Sequence, residues 1–373
     1  MRNLVLVILI ALACATSSRG QTSAPAWDPP PITLQLSGVS PQDAFRQLGE
    51  LVGLTFQPYN DNLFASRPAS IDVDIKEQPF WLAVKQVCDA SHIELHNDSQ
   101  PAARLGEGDR GLWSNAIAVS SGPVVFVLTG LQRTTKVDLR QPNKITRRAD
   151  LGITTFIDPR VRTAQGSRPL VVTEATDDKG QKLKHANPDS SGTFQNTWSI
   201  NQNLALDLPV EPGRKIAKIT GDAHFLMDVK TESLEIKLPM TEKITRRIGG
   251  FPLVLSDVRK EGTNWRAKIS YNRTGGDKSA YERLRPAFED WTRRLELQDE
   301  AGQPFRRGGW SGMSSNDERS VELQLEPPTE NGDAVKLVWA VPVEVKDVAI
   351  PFEFTDLPLE ESGATETEKK SDG

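Results

Sequence analysis

Apolar and polar residues alternate along much of this chain, and that alternation restricts the possible folds more than any other feature. An apolar residue at every second position gives a β-strand one face to bury. The clearest runs are Leu204, Leu206 and Leu208; Leu234, Ile236 and Leu238; Trp265, Ala267, Ile269 and Tyr271; Leu323 and Leu325; and Val341, Val343 and Val345. Turn-forming residues such as Glu211-Pro212-Gly213 separate them. Many short strands at this spacing predict mainly antiparallel β-sandwiches.

A weak internal repeat divides this β region. Residues 173–183 (TEATDDKGQKL) resemble residues 295–305 (LELQDEAGQPF), and residues 214–226 (RKIAKITGDAHFL) resemble residues 333–345 (DAVKLVWAVPVEV). The separation is close to the size of one sandwich domain. The repeat therefore predicts two tandem β-sandwich domains, residues 122–240 and 241–358, which meet near Met240.

Two further patterns stand outside that repeat. The pentapeptide KITRR occurs at residues 144–148 and again at 243–247, a spacing that does not fit, and we interpret it as coincidence. A short crossover helix with Pro286 near its start is predicted where apolar residues recur at helical spacing. These residues are Tyr281, Leu284, Phe288, Trp291 and Leu295.

The N-terminal part of the chain mixes strand and helix patterns. Ile32, Leu34 and Leu36 alternate with polar residues, and Ser40 followed by Pro41 is typical of a helix start. Gly53 is expected to end that helix. Further strands are predicted at residues 54–58, 71–75 and 93–96, with a second helix opening at Pro79. The order β-α-β-β-α-β over residues 32–97 predicts a small α+β domain.

This segment resembles the short N-terminal domain of secretins and TonB-dependent receptors, the STN domain. The matching stretches are ITLQLSGVSPQDAFRQLGELVG and IDVDIKEQPFWLAV, which cover the first helix and the passage from a strand into the second. The second helix ends in Cys88-Asp89-Ala90, where that family usually has a turn containing glycine. The resemblance covers about a fifth of the chain and implies an envelope module that docks to partner proteins.

The first residues have the order of a signal peptide. Arg2 precedes a short apolar run from Leu4 to Ala13, and small residues follow at Ala13-Cys14-Ala15. We expect cleavage after Ala15, or as far along as residue 20, and export to the periplasm or cell surface. The apolar run is shorter than the ~20 residues that a bilayer-spanning helix needs. Lipid attachment at Cys14 is an alternative, although Leu12 stands where a small residue is usual.

Composition assigns the remaining chain to packed, soluble protein. With Cys14 removed, Cys88 is the one cysteine left, so we expect no disulfide framework. The 45 basic and 50 acidic residues are interspersed, and a net charge of -5 indicates neither a nucleic-acid partner nor an anionic membrane. Residues 16–31 are predicted to be a linker, residues 98–121 a linker or hairpin, and residues 359–373 a disordered tail.

Several short motifs suggest chemistry but lack the context that the chemistry needs. Gly106-Glu107-Gly108-Asp109-Arg110-Gly111 has the letters of a dinucleotide fingerprint, yet two carboxylates would repel phosphate there and no helix is expected after it. Ser311 lacks the second glycine of a nucleophile elbow and is expected in a hairpin loop. Cys88 is expected to be an inert core thiol. We therefore predict no catalytic residue and no cofactor.

His92 and His96 flank Glu94 and suggest a metal site. In a strand the two histidines would stand roughly 13 Å apart at ~3.3 Å per residue, too far to share one ion, so no metal is predicted. We expect His92, Glu94 and His96 to form the wet side of a strand held to the core by Ile93 and Leu95, and to contact a partner. Trp310, in a glycine-rich predicted loop, is the second candidate for partner binding, or caps the sandwich edge.

These observations favour a non-catalytic binding or scaffolding protein of the cell envelope. Its partner would be an envelope protein that the STN-like domain contacts. Two alternatives stay open: a module that binds envelope polysaccharide, or hydrolyses it weakly through a pair of carboxylates, and a purely structural envelope component.

Overall fold

The computed structural model describes residues 28–96, 102–107, 113, 116–164, 170–187, 193–194, 198–328 and 333–359. For residues 141–144, 164, 193–194 and 286 it describes the backbone alone. Several predicted segments lie outside these ranges, namely the signal peptide with Cys14, residues 16–27 of the first linker, residues 360–373 of the tail and residues 108–111 of the Gly106–Gly111 motif. Within them the chain is mostly antiparallel β-structure in several sheets, as the alternation predicts.

The N-terminal elements follow the predicted order. They are β1 (Ile32–Val39), α1 (Pro41–Val52), β2 (Phe56–Pro58), a 3₁₀ turn (Leu63–Ser66), β3 (Ile71–Gln78), α2 (Phe80–Ser91), β4 (Glu94–His96) and β5 (Ala103–Gly106). The predicted ends of α1 are confirmed, because the Ser40 hydroxyl accepts a hydrogen bond from the Asp43 amide. Gly53 ends the helix with φ 71°, a left-handed conformation that glycine adopts without a Cβ clash.

Strand β5 is the N-terminal element that the sequence did not predict. It lies in residues 98–121, for which the sequence predicts a linker or hairpin, and its two apolar residues, Ala103 and Leu105, are too few to indicate a strand. β5 pairs in parallel with β2 and antiparallel with β4, while β1 and β3 form a separate antiparallel pair. The helices and both sheets enclose one cluster of buried residues, the N-terminal core, which contains Phe45, Leu48 and Ile75.

The first half of the β region has nine described strands, and seven of them set the strand order of its sheets. They are β6 (Ile117–Ser121), β7 (Val124–Asp138), β8 (Gln141–Ile157), β10 (Val171–Asp177), β11 (Lys184–His185), β13 (Ser199–Asp207) and β14 (Lys215–Lys237). Two-residue strands β9 (Thr163–Ala164) and β12 (Thr193–Phe194) pair with β14 and β13.

Seven strands follow in the second half. They are β15 (Ile244–Ile248), β16 (Phe251–Glu261), β17 (Asn264–Asn272), β18 (Leu295–Gln298), β19 (Arg306–Ser314), β20 (Glu318–Glu326) and β21 (Lys336–Pro358). Between β17 and β18 lie α3 (Lys278–Leu284), a 3₁₀ turn (Arg285–Ala287) and α4 (Phe288–Arg293). The predicted crossover helix is therefore two short helices, divided at the turn that contains Pro286, which has no N–H to continue a helix.

The two halves repeat one strand order. The first contributes a sheet ordered β11-β13-β8-β7-β6, and the second a sheet ordered β19-β20-β17-β16-β15, which match strand for strand in chain order. A further sheet, β10-β14-β21-β18, takes the remaining two strands of each half. The KITRR copies lie on β8 and β15, which do not correspond in this order.

The repeated sequence motif forms the same turn twice. In the first half Gly180 N–H donates to the Asp177 carbonyl at 3.0 Å, and Leu183 N–H donates to the Ala175 carbonyl at 2.9 Å. In the second half Gly302 N–H donates to the Asp299 carbonyl at 3.0 Å and Phe305 N–H to the Leu297 carbonyl at 2.9 Å. The weak resemblance between the two segments thus corresponds to one local structure.

Strands β14 and β21 join the two halves. They pair antiparallel from Lys215 opposite Pro358 to Lys237 opposite Lys336, so the two strands are paired over their full lengths. The start of β14 is buried in a cluster with β7, β8 and β13, which we call the first core, and the end of β21 is buried in the same cluster. The start of β21 belongs to the second core, with β16, β17, β20 and α4.

The predicted division near Met240 therefore needs a correction. Residues 348–358 are predicted to belong to the second sandwich, but Val348, Phe352 and Leu357 are buried in the first core. Leu359, predicted to begin the disordered tail, is buried in the same core. Alternation reveals which face of a strand is buried, but it does not reveal which sheet covers that face.

The N-terminal elements pack on the sheet of the first half. Along β7, Val124 and Phe126 are buried in the first core, whereas Val125 and Val127 on the opposite face are buried in the N-terminal core. The sheet β11-β13-β8-β7-β6 is consequently buried on both faces around Phe156.

Candidate docking surfaces

The residues predicted to form one wet strand edge are divided in the structure. His92 is the C-cap of α2, exposed and with φ 53°, and the strand begins two residues later at Glu94. Ile93 and Leu95 are buried, as expected for residues that hold this segment to the core. His92 is thus separate from Glu94 and His96, because the left-handed cap turns the chain before the strand starts.

Glu94 and His96 lie on a sheet face, where they are half-buried. β4 pairs with β5 so that Glu94 is opposite Gly106 and His96 is opposite Arg104. The His96 ring lies 5.3 Å from the Tyr59 ring centroid, and the Arg104 guanidinium lies 5.9 Å from the same centroid. A Cβ at Gly106 would stand 2.3 Å from His96 Nε2, so the imidazole packs closely against the backbone of β5. His96 is therefore a packed residue with limited access for a partner.

A groove lies on another side of the N-terminal elements, between α1 and β2. It has a volume of about 450 Å³. Phe45, Leu54, Phe56 and Phe64 supply its apolar lining, and the Phe45 and Phe56 ring centroids are 5.3 Å apart. The remaining lining residues are Gln42, Arg46, Gly49, Glu50, Gly53, Thr55 and Pro58. The groove has the aromatic floor and polar rim that are typical of peptide-binding sites.

Gly49, which lines this groove, allows a close backbone contact between α1 and the chain before β2. A Cβ on Gly49 would stand 2.2 Å from the Leu54 carbonyl oxygen, so α1 approaches the chain before β2 as closely as backbone allows. The Leu54 amide donates to the Gly49 carbonyl at 3.0 Å across the same contact. The predicted helix stop, Gly53, also lines the groove.

The backbone of β2 has hydrogen-bonding groups beside the groove. Among the strands described, β2 has β5 as its one neighbour. The Thr55 carbonyl accepts from Ala103 N–H at 2.9 Å, and Tyr59 N–H donates to the Leu105 carbonyl at 2.7 Å. Parallel pairing alternates along a strand, so the N–H and carbonyl of Phe56 point away from β5. An extended peptide could pair with Phe56 there.

Trp310 lies on a strand and not in the predicted loop. β19 is the outermost strand of its sheet, and Trp310 is opposite Leu323 of β20, with its side chain 56% exposed. The indole lies with Val321 and Leu323 around a small cavity beside α4. It therefore partly covers the open edge of the second core, as one of the two interpretations expects. The glycines at 308, 309 and 312 suggested a loop, but pairing with β20 holds them extended.

Ser311 lies on a strand and Cys88 lies in a helix. Ser311 lies on β19 opposite Glu322, so the expected hairpin loop is wrong for this residue too. Cys88 is buried in α2, and burial raises the pKa of its thiol well above the ordinary value. A thiol that stays protonated is a poor nucleophile, in agreement with the predicted core role.

The described residues contain neither a metal-binding cluster nor a membrane-spanning helix. No group of three or more histidine, cysteine or acidic side chains there is arranged to hold a metal ion. No helix in those ranges is long and apolar enough to cross a bilayer.

Comparison with known proteins gives little similarity. No family model matches the chain, and no curated protein matches it. Among solved structures, the crystal structure of a conserved domain protein from Bacillus anthracis is 10% identical in sequence. The match covers 68% of this chain and 96% of that chain with a TM-score of 0.18, too low to support an argument about fold or function.

Proposed function

We propose that this protein is a non-catalytic binding or scaffolding protein of the cell envelope, in which the STN-like segment docks an extended segment of a partner protein. The observation that carries the proposal is the groove between α1 and β2, with its aromatic floor and the backbone of Phe56 beside it. The resemblance of residues 32–97 to the STN domain supports the same role.

The proposed architecture has three units. We interpret the N-terminal elements as an α+β domain and the two halves of the β region as sandwiches that exchange their last strands. In this interpretation the exchange fixes the two sandwiches to each other, and the N-terminal domain is fixed to the first sandwich through α2. A docked partner would then be held at a defined distance and direction, which is what a scaffold requires.

The groove suits a strand-like peptide with apolar side chains at alternate positions. Backbone pairing with Phe56 would supply affinity without regard to sequence, and a side chain between Phe45 and Phe64 would supply selectivity. Arg46 on the rim is already paired with Asp43 at 3.1 Å and with Glu50 at 2.8 Å, so charge would contribute little to recognition.

Site-specific photocrosslinking in intact cells tests this proposal. A photoreactive residue at Gln42, on the groove, is expected to capture a defined partner, whereas the same residue at Gln35, exposed on β1, is expected to capture none. Phe64→Ala should weaken the Gln42 crosslink. Equal capture from positions 42 and 35 would contradict docking in the groove. A third photoreactive residue, in place of Ser311, tests the other surface, and capture from that position alone would place the binding surface on β19.

Export is tested separately. The mass of the mature N-terminus should show the loss of about 15 to 20 residues. A soluble cytoplasmic protein that retains Met1 would contradict the proposed location.

A further inference from the structure

The hairpin of β7 and β8 is longer than its counterpart in the second half of the chain. β7 and β8 have 15 and 17 residues, whereas the corresponding strands β16 and β17 have 11 and 9. The pairing of β7 with β6 extends as far as Leu128, which is opposite Ile117. The pairing of β8 with β13 extends as far as Arg148, which is opposite Asp207. Beyond these points β7 and β8 pair only with each other among the strands described. We call residues 129–148 the arm.

Leu131 packs against the first core at the base of the arm, but core packing does not account for the rest of it. Gln132, Arg133, Thr134, Thr135 and Lys136 are all exposed along β7. A two-stranded ribbon in water is marginally stable by itself. An extension of this length, present in one half and absent from the other, indicates a surface that contacts something else.

The arm concentrates positive charge. Residues 129–148 contain six basic residues and one acidic residue, in a chain whose net charge is -5. Within the part of the chain that the structure describes, Arg140 pairs with Asp138 and Arg148 with Asp207. Arg133, Lys136 and Arg147 have no ion pair with a described carboxylate, so their positive charges can attract a negatively charged partner.

The tip of the arm has exposed apolar side chains among charged ones. Leu139 in the turn is 89% exposed, and Val137 and Ile145, opposite each other on the two strands, are 46% and 45% exposed. Exposed branched side chains at the end of a hairpin, with cations behind them, match the interface of an anionic bilayer. The apolar residues reach the acyl boundary there while lysine and arginine stay among the phosphates.

We propose that the tip of the arm docks on an anionic phospholipid surface. Leu139, Val137 and Ile145 enter the headgroup region, and Arg133, Lys136 and Arg147 contact lipid phosphates. Residues 129–148 contain no Phe, Tyr or Trp, so the arm lacks the rings on which unpaired bases stack, and a membrane is favoured over single-stranded nucleic acid.

Co-sedimentation of the full chain with vesicles tests the proposal. Vesicles of phosphatidylcholine with one quarter phosphatidylglycerol should bind the protein, pure phosphatidylcholine should not, and salt should weaken binding. Near such a surface each basic residue strengthens binding by about fivefold, so R133Q/K136Q/R147Q should bind roughly 100-fold more weakly. Leu139→Asp should also abolish most binding.

Matched variants separate the arm from general effects of charge and apolar exposure. K184Q/K230Q/K268Q removes three exposed charges elsewhere, and Val210→Asp replaces another apolar residue that is 74% exposed. Both should bind like the unaltered protein, and all four variants should keep its thermal midpoint. Failure of the unaltered protein to bind the anionic vesicles would overturn the proposal, as would equal losses in the control variants.

Discussion

The indole Nε1 of Trp81 donates a hydrogen bond of 2.8 Å to the backbone carbonyl oxygen of Ile157. Trp81 lies on α2 and Ile157 ends β8, so this bond joins the N-terminal elements to the sheet of the first half. The Trp81 ring also lies 4.7 Å from the Trp198 centroid and 5.1 Å from that of Phe156. One side chain thus supplies both a directional bond and aromatic contacts at this junction.

Replacing Trp81 should loosen the junction. Trp81→Phe leaves the Ile157 carbonyl buried without its donor, which should lower the free energy of unfolding by about 1 to 3 kcal/mol. Trp81→Ala also creates a cavity, so the total loss should be about 3 to 5 kcal/mol. Urea unfolding measures both. Trp265→Phe is the control, because Trp265 Nε1 is buried without a partner among the described residues, so its loss should cost less than the loss of the Trp81 indole. Equal costs for the two Trp→Phe variants would contradict the role of the bond.

A buried ion cluster around Arg294 should make stability depend on pH once the arginine is lost. Arg294 on α4 pairs with Asp228 of β14 and with Asp290. Burial raises the pKa of Asp228, and the charge of Arg294 partly offsets that rise. Arg294→Met removes the offset and leaves buried carboxylates unpaired, so we expect a loss of about 3 to 5 kcal/mol at neutral pH.

The sign of that pH dependence follows from the raised pKa. The folded variant binds a proton at Asp228 more tightly than the unfolded chain does, so its stability should rise as pH falls through the raised pKa and level off near the ordinary value of 3.8. Urea unfolding at neutral and acid pH measures this gain. Arg46→Met is the control, since Arg46 also pairs with two carboxylates but is 57% exposed and should change stability little. A loss that is independent of pH would show that Asp228 does not titrate as described.

Asp177 and Asp299 occupy equivalent turns but carry different numbers of bonds. Asp177 is buried and accepts backbone N–H bonds from Lys179, Gln181 and Gly213, whereas Asp299 accepts one from Gln303. Asp177→Asn places an amide N–H₂ against a backbone donor, which should cost about 1 to 3 kcal/mol. Asp299→Asn should cost less, and thermal unfolding of both variants checks the difference.

The cost at Asp177 should diminish in acid. Burial raises the pKa of Asp177, but the backbone hydrogen bonds outweigh it and hold the pKa below 3.8. The charged carboxylate therefore stabilises the fold above its unfolded pKa, and this contribution is lost as pH falls through the lower folded value. The difference between the native protein and Asp177→Asn should shrink below about pH 4. A constant difference down to about pH 2 would contradict this assignment.

A chain that ends at Lys346 tests the strand exchange. It lacks the part of β21 that buries Val348, Phe352, Phe354 and Leu357 in the first core. We expect amide hydrogen exchange to rise along β7 and β8, while β16 and β17 stay protected, because the start of β21 still completes the second core. A chain that ends at residue 360 is the control. Unchanged protection of β7 and β8 would show that the first core is complete without β21.

The sequence by itself determined the local elements. Alternation located most of the long strands, Ser40 and Gly53 set the ends of α1, and the DDKGQ and DEAGQ segments indicated the repeated turn. Each of these depends on residues close together in the chain, where side-chain period, capping and turn chemistry act directly.

Tertiary structure alone decided where those elements went. β5 and the strand that carries Trp310 form because neighbouring strands supply hydrogen bonds that weak local patterns do not predict. The groove between α1 and β2, the Trp81 bond to Ile157 and the passage of β21 into the first core all join residues far apart in the chain. An apolar face must be buried, but many partners satisfy that requirement equally, and shape and hydrogen bonding in the folded chain select among them.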